Sequence, residues 1–267
     1  MYNLNGLAVI NVELVSKCNK NCWMCGRRER ERLYGDQNYG FMGFDLIHII
    51  ADQIPPGIMV QLHRDGEPLL YNEFGSAVRL FKHCITNVVT NGKLLVDKAD
   101  EIINNLDSIT ISIIQDDDTN EKYFQMMQIE KFLELKGSKK PFTILRYLGD
   151  VDRKPYEKFN LFSVNRTLHL AKGSVGYKKP PVIPEYAMCM DLFSHLAIDR
   201  FGDVSMCVRF DPEGELILGN VSHSSIERLW NCEKRKHYIE KFVEGKRNEL
   251  PYCGNKCDYW GVPRSND

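Results

Sequence analysis

Long hydrophobic runs are missing from this chain of 267 residues: no stretch approaches 18 uninterrupted apolar residues, and Met1–Asn5 lacks the basic start of a signal peptide. An excess of one charge is missing too, because 35 Lys and Arg face 36 Asp and Glu. That balance argues against a nucleic-acid polymer as partner. We find no internal repeat and no low-complexity segment. We therefore expect a soluble, cytoplasmic protein without membrane association, built as one large domain or as a large domain plus a small one.

Cysteine, in contrast, is abundant. The chain has nine cysteines, and an odd number without a secretion signal favours metal ligation in a reducing compartment over a disulfide framework. Cys84 and Cys232 are interpreted as ordinary buried or helix-surface cysteines. The others form two groups that suit metal sites, one before residue 26 and one after residue 188: Cys18, Cys22 and Cys25, then Cys189, Cys207, Cys253 and Cys257.

The first group follows an apolar run from Leu7 to Val15 and has the spacing Cys-x3-Cys-x2-Cys. Each iron of a cubane iron-sulfur cluster normally binds one thiolate, so three cysteines leave one of its four irons open for an exchangeable ligand. A structural zinc site would need a fourth protein ligand. The nearest candidates, His48 and His63, belong to other predicted elements. The spacing therefore favours an iron-sulfur cluster with an open iron.

Hydrophobic periodicity alternates between strand and helix through the first two thirds of the chain. We predict helices at 44–54, 73–83, 94–106 and 120–135, and strands at 7–15, 58–62, 85–90, 108–114, 142–148 and 167–171. Six strands alternating with helices predict an α/β fold with a parallel sheet, whose ligands bind at the carboxyl ends of the strands. The charged segment from Arg27 to Met42 is predicted to be a solvated loop, with a basic rim beside a ligand as the alternative.

The three-cysteine loop after a first strand resembles the signature of the radical S-adenosylmethionine (SAM) superfamily. Membership implies a partial (β/α)6 barrel and a [4Fe-4S] cluster whose open iron binds SAM, which an electron from the cluster cleaves to a 5'-deoxyadenosyl radical. Met24 stands where the superfamily usually has an aromatic residue near the adenine. The resemblance implies further cofactor-binding residues: Gly66, Glu67 and Pro68 for the SAM ammonium group, Ser112 for the ribose, and Arg146 for the SAM carboxylate or a substrate oxygen. The alternative for Ser112 is a buried hydroxyl that forms hydrogen bonds with the backbone, and the alternative for Arg146 is a salt bridge with Asp or Glu.

The second group of cysteines flanks a predicted β-hairpin at 196–207 and a Trp-bearing helix that begins at Ser225. Four cysteines would fully ligate a second cubane cluster, and a zinc site is the alternative. The arrangement resembles the twitch domain, the shortened SPASM domain that follows some radical SAM barrels. This resemblance implies a barrel at 1–176 and a small auxiliary-cluster domain at 177–267, made of a hairpin and a helix.

The combination resembles radical SAM dehydrogenases that oxidise a hydroxyl carbon of a sugar-like or cyclitol-like substrate. In such enzymes the radical removes a hydrogen atom, a base takes the hydroxyl proton, and the auxiliary cluster accepts the remaining electron. Lys172 stands at the family's position for the base, with a surface lysine as the alternative reading and Arg166 as another basic candidate. A low-potential electron donor such as flavodoxin or ferredoxin is the implied partner. Two alternative functions stay open: epimerisation or crosslinking of a ribosomal peptide, and modification of a nucleotide.

Overall fold

Strands linked by helices form the framework of the protein in the computed structural model, which describes residues 3–115, 118–166, 189–209, 211–255 and 257. The strands of this part are β1 (Val9–Val12), β2 (Met59–Gln61), β3 (Ile85–Thr90), β4 (Ser108–Ile114), β5 (Phe142–Leu148), β6 (Phe162–Arg166), β7 (His195–Ile198), β8 (Asp203–Ser205) and β9 (Ile217–Asn220). The helices are α1 (Arg27–Tyr34), α2 (Phe44–Ala51), α3 (Phe74–Leu80), α4 (Ala99–Ile102), α5 (Thr119–Lys136), α6 (Lys154–Glu157), α7 (Met190–Ser194), α8 (Ile226–Trp230), α9 (Glu233–Val243) and α10 (Pro251–Asn255). Short 3-10 helices lie at Gly35–Asn38, Pro68–Leu70 and Arg247–Glu249.

The strands join into a single sheet with the order β6-β5-β4-β3-β2-β1-β7-β8-β9. Strands β1 to β6 are all parallel to their neighbours, as expected for strands connected by helical crossovers. The predicted α/β class with a parallel sheet is therefore confirmed, and the first five predicted strands are present as β1 to β5. Because parallel strands end at the same edge, the loops after β1, β2, β3 and β4 come together there.

The C-terminal hairpin pairs with the side of β1 opposite β2. Strand β7 pairs with β1 in parallel, with Val9 opposite His195 and Val12 opposite Ile198, and β8 and β9 continue the sheet antiparallel. Hydrogen bonding along β1 therefore fixes the C-terminal cysteines relative to the N-terminal cysteine loop. The predicted boundary at residue 176 lies outside the described residues and stays a prediction.

Two apolar clusters hold the elements together. The larger one contains the buried side chains of the parallel strands and their helices; on β4 almost every residue is buried, as is usual for a parallel strand covered on both faces. The smaller one lies under the C-terminal hairpin, with Leu192, Met206 and Phe242 among its members, and Cys189, Cys207 and Cys253 pack against it. Apolar packing thus gathers C-terminal cysteines that are distant in sequence.

Three predicted elements differ from the structure. The segment from Arg27 to Met42, expected as a loop, begins with helix α1. The helix predicted at 94–106 is α-helical only over α4, because Ile103 is extended and Asn104 has a φ of 64°; its apolar face is nevertheless buried. The sixth strand is β6, and the strand predicted at 167–171 lies outside the described residues. No helix of the described part is long and apolar enough to cross a membrane.

Candidate functional site

The three N-terminal cysteines lie in a loop between β1 and α1. The amide of Cys25 donates to the carbonyl of Cys22 at 3.2 Å, which turns the loop back on itself. Side chains of α1 brace the loop: Arg28 donates to the carbonyl of Cys22 at 3.1 Å, and Arg27 donates to the carbonyl of Lys20 at 3.1 Å. The charged segment after the loop therefore helps to fix the positions of the cysteines.

Burial favours the protonated form of two thiols in this loop, those of Cys18 and Cys25. It raises the pKa of Cys25 to about 11 and also raises the pKa of Cys18. The nearby Cys18 thiolate would raise the pKa of Cys25 further. A metal centre must therefore displace protons when it binds these thiols. All three cysteines line one cavity, and three converging thiols are the donor set of a cubane cluster with one open iron.

The turn that contains Gly66 packs directly against the backbone ahead of the cysteine loop. A Cβ atom at Gly66 would lie 2.0 Å from the carbonyl oxygen of Val15 and 2.8 Å from that of Lys17. The next amide, that of Glu67, donates to the carbonyl of Lys17 at 2.9 Å. Glycine is therefore required here by close backbone approach. The two motifs found in the sequence are thus in physical contact.

The Glu67 carboxylate ties this turn to the end of β3. It accepts hydrogen bonds from the Thr90 hydroxyl at 2.7 Å, the Asn91 amide at 2.8 Å and the Leu69 amide at 3.1 Å. Burial raises the pKa of Glu67 to about 7, although these hydrogen bonds oppose the shift. Pro68 begins the following 3-10 helix and is buried. Glu67 lines the cavity, whereas Pro68 is not among the cavity residues of the described part.

Asn91 is a site residue that sequence reasoning treated only as the end of a strand. Its side-chain amide donates to the side-chain oxygen of Asn19 at 2.7 Å and lies 3.7 Å from the sulfur of Cys18. Its backbone amide binds Glu67. Asn91 therefore links the cysteine loop to the Gly66-Glu67 turn. The only signal in the sequence is its place at the carboxyl end of a strand, where ligands of parallel sheets bind.

Ser112 and Arg146 face each other on neighbouring strands. They are paired in the register of β4 and β5, and the Arg146 guanidinium donates to the Ser112 hydroxyl at 2.7 Å. The Nε of Arg146 is buried without a partner, and no carboxylate of the described residues forms an ion pair with this side chain. Burial, with the nearby charges of Arg166 and Arg209, lowers the pKa of Arg146 to about 9. Such a side chain is suited to an anionic ligand.

A buried charge network lies beside the cavity, between β1 and the C-terminal hairpin. The carboxylate of Glu13 accepts the amide of Asp65 at 3.2 Å and the amide of Arg200 at 3.3 Å. Burial is the main cause that raises the pKa of Glu13 to about 7, and the negative charge of Asp65 adds to the shift. The positive charge of the nearby Arg64 opposes it. Because the folded pKa lies above the unfolded value of about 4.3, the native state holds a proton that the unfolded chain releases. The stability that results is present at low pH and is lost as the pH rises from the unfolded value to about 7.

The predicted residues of the N-terminal site come together in a cavity of about 310 Å³. Sequence reasoning did not assign Arg64, Asp65 or Arg209 to this cavity, and it considered His63 only as a metal ligand. Lys172 lies outside the described residues, so its predicted role stays a prediction. The predicted residues that line the cavity are Cys18, Cys22, Met24, Cys25, Gly66, Glu67, Ser112 and Arg146.

The four C-terminal cysteines line a second, smaller cavity of about 30 Å³: Cys189, Cys207, Cys253 and Cys257. Burial raises the pKa of Cys189 to about 12 and also raises the pKa of Cys253, and the other thiols of the set add to the shift of Cys253. Arg247 braces this group, since its guanidinium donates to the carbonyls of Cys253 and Cys257. Four thiols that line one cavity suit a fully ligated cubane cluster.

The two cavities share a wall, because four residues line both: Cys207, Arg209, Tyr252 and Cys257. Within the described residues, no three His, Cys, Asp or Glu side chains are gathered as they would be around one metal ion. A cubane cluster does not require that closeness, since each cysteine binds a different iron. The donor sets at both cavities therefore fit iron-sulfur clusters.

Comparison with known proteins adds three findings. The model of the SPASM family, an iron-sulfur cluster-binding domain, matches residues 189–258. The S-adenosyl-L-methionine-dependent 2-deoxy-scyllo-inosamine dehydrogenase of Niallia circulans is 22% identical over 255 residues, which is 93% of this chain and 92% of that protein. Two solved structures have similar folds: BtrN in complex with AdoMet and 2-DOIA (TM-score 0.63, 18% identity, 97% of this chain and 96% of that one) and Streptococcus suis SuiB bound to precursor peptide SuiA (TM-score 0.60, 11% identity, 88% and 67%).

The fold is that of radical SAM enzymes, and the C-terminal part is a SPASM domain, which confirms the resemblance predicted from the sequence. Similarity to a SAM-dependent dehydrogenase extends over nearly the whole chain.

Proposed function

We propose that the chain oxidises a hydroxyl-bearing carbon of a small polar molecule, sugar-like or cyclitol-like, to a carbonyl. The observation that carries the proposal is the wall shared by the two thiol-lined cavities, in which Cys207 and Cys257 lie. An electron acceptor in the smaller cavity would lie beside the space in which a substrate reacts. This arrangement suits an oxidation in which a hydrogen atom and an electron leave the substrate at different points.

The side chains described above would hold two [4Fe-4S] clusters and SAM. The three N-terminal cysteines would bind the first cluster and leave one iron open, and the four C-terminal cysteines would bind the second cluster completely. Met24 offers an apolar contact, Glu67 accepts hydrogen bonds, and Ser112 and Arg146 offer a hydroxyl and a cation for SAM. When bound, the first cluster and SAM supply a 5'-deoxyadenosyl radical.

The proposed reaction balances as an alcohol oxidation. With the cofactors bound, the substrate carbon would lose a hydrogen atom and one electron to them, and the hydroxyl would give its proton to a base, leaving a C=O bond. One electron enters from a low-potential donor such as flavodoxin or ferredoxin for each SAM that is cleaved. We propose Lys172 as the base, because a lysine desolvated beside cationic or apolar neighbours can have a pKa near neutrality.

The test uses the whole reconstituted protein with SAM, dithionite and alcohols that carry deuterium on the carbinol carbons: 2-deoxy-scyllo-inosamine, myo-inositol and glucuronate. The expected result is deuterium in 5'-deoxyadenosine together with a ketone, measured by mass spectrometry and carbonyl trapping. Deuterium transfer that ends in an epimer, with no ketone, would contradict the proposed oxidation.

Modification of a peptide is the second candidate function. The observation in its favour is the structural similarity to SuiB bound to its precursor peptide. The map of neighbouring genes separates the two candidates, because genes for sugar or aminocyclitol synthesis favour the first and a small precursor-peptide gene favours the second.

A further inference from the structure

An ion pair joins the two chain segments that carry the first two C-terminal cysteines. Asp191 stands two residues after Cys189, and Arg209 stands two residues after Cys207. The Arg209 guanidinium donates through Nε to one carboxylate oxygen of Asp191 and through Nη2, at 3.5 Å, to the other. A forked pair of this kind fixes the two side chains relative to each other. The pair therefore connects the segments of two of the four thiols.

The two charges of this pair border different spaces. Arg209 lines both cavities, whereas Asp191 lines the smaller cavity and is not among the described residues that line the larger one. The side chain of Asp191 is 8% exposed and that of Arg209 is 29% exposed. The positive end of the pair therefore lies in the wall between the space for a substrate and the four C-terminal thiols.

Both charges act on groups in these cavities. Burial is the main cause of the raised pKa of Cys189, and the negative charge of Asp191 adds to it. Burial is also the main cause of the lowered pKa of Arg146 in the larger cavity, and the positive charge of Arg209 contributes. His195 lies 3.8 Å from Asp191, and burial lowers its pKa, so its imidazole is mainly neutral at neutral pH. Arg209 is therefore a cation beside Asp191 at the thiols.

Charges at this place matter for an iron-sulfur cluster. A cubane cluster held by four thiolates carries negative charge, and its reduction adds one more negative charge. A nearby cation stabilises the reduced form and raises the reduction potential, whereas a nearby carboxylate lowers it, and both effects are larger in a partly buried site than in water. In the proposed function one electron leaves the substrate for an acceptor in the smaller cavity, so a higher potential of that acceptor favours the oxidation.

We propose that the ion pair of Arg209 and Asp191 sets the reduction potential of the auxiliary cluster: Arg209 raises it and Asp191 lowers it. The inference rests on the proposed function, since it concerns the group that is to accept the electron. The substrate loses the one electron that this group gains, and no further reactant is needed. Asp191 also holds the guanidinium at the shared wall, where the electron crosses.

A redox titration of the whole reconstituted protein, followed by electron paramagnetic resonance, tests this proposal. The signal of the auxiliary cluster is the one that SAM does not change. Arg209→Gln should lower the equilibrium constant for reduction of this cluster about tenfold, which makes the potential about 59 mV more negative for a one-electron couple. Asp191→Asn should raise the constant by a similar factor. Arg209→Lys keeps the charge and should lie closer to the wild type than Arg209→Gln does.

The matched control is Arg228→Gln, because Arg228 is exposed and is not among the residues that line either cavity. It should have the potential of the wild type. Shifts of opposite sign separate an electrostatic role from a structural one, since loss of packing alone would lower the iron content of both single variants. The proposal is wrong if Arg209→Gln has the potential of Arg228→Gln, or if Arg209→Gln and Asp191→Asn shift it in the same direction. If Arg209→Gln does not retain the auxiliary cluster, Asp191→Asn decides, and an unchanged potential there overturns the proposal.

Ketone formation from the deuterated alcohols is measured on the same samples. If the potentials shift in opposite directions but no ketone forms from any alcohol, the proposed function fails and this inference stands. If a ketone forms and the potentials do not shift, the proposed function stands and this inference fails.

Discussion

Replacing Gly66 with alanine should disrupt the contact between the two cofactor motifs. The new Cβ would lie 2.0 Å from the carbonyl oxygen of Val15 and 2.7 Å from its carbonyl carbon. Carbon and oxygen atoms in weak contact normally lie about 3.3–3.6 Å apart, so the turn must move by about 1 Å or more. The neighbouring atoms belong to the backbone and cannot rotate away. Overpacking of this kind costs about 1–3 kcal/mol, and we expect the upper end, since the hydrogen bond from Glu67 to Lys17 is strained as well.

The assay is thermal and urea unfolding of the variant, followed by SAM binding and SAM cleavage after reconstitution. A loss of about 3 kcal/mol corresponds to a fall in melting temperature of about 6–12 °C for a chain of this size. Gly43→Ala is the matched control, because Gly43 has a φ of -63° and a Cβ there meets nothing within 4 Å. As Gly43 caps α2, alanine should cost about 1 kcal/mol or less. Equal unfolding and equal SAM cleavage in the two variants would refute the reasoning.

Two further predictions concern a proposed catalytic group and a buried acid. Lys172→Ala should still form 5'-deoxyadenosine but lose about two to four powers of ten in oxidised product, the scale of general-base catalysis. Normal product formation would mean that the base lies elsewhere, with Arg166 and Arg146 as the next candidates, or that the reaction is not an alcohol oxidation. The free energy of unfolding of Glu13→Gln, compared with that of the wild type, should rise by on the order of 1–2 kcal/mol between pH 5 and pH 8. The reason is that the wild type must remove a proton from the buried Glu13 carboxyl over this range, whereas Gln does not titrate. Urea unfolding at both pH values measures the difference, and a difference that does not change with pH would contradict the role given to Glu13.

Much of the parallel sheet could be predicted because the signals are local. Strands β3, β4 and β5 coincide with the predicted segments, since uninterrupted apolar runs bounded by turn residues are typical of buried parallel strands. The helix α1 was not predicted, because its charged sequence has no apolar period. Its Arg27 and Arg28 are ordered by the carbonyls of the cysteine loop, a contact that only the folded chain provides.

The same limit applies to the site. The spacing of the N-terminal cysteines predicts an iron-sulfur cluster, and the Gly66-Glu67 turn after a strand predicts SAM binding, because both signals lie in short stretches of sequence. The link from Asn91 to the cysteine loop and the shared wall at Cys207 depend on strand order, which a single sequence does not specify. The pairing of β7 with β1 decides how close the two thiol sets lie.

The most direct test of the central claim is iron analysis and SAM cleavage in the wild type and in the triple variant Cys18→Ala, Cys22→Ala and Cys25→Ala. Two cubane clusters predict about eight irons per wild-type chain after anaerobic reconstitution and about four in the variant, with no 5'-deoxyadenosine from the variant. A variant that still cleaves SAM would contradict the assignment of the open cluster. Zinc in the C-terminal site, with a single iron-sulfur cluster in the wild type, would contradict the auxiliary cluster.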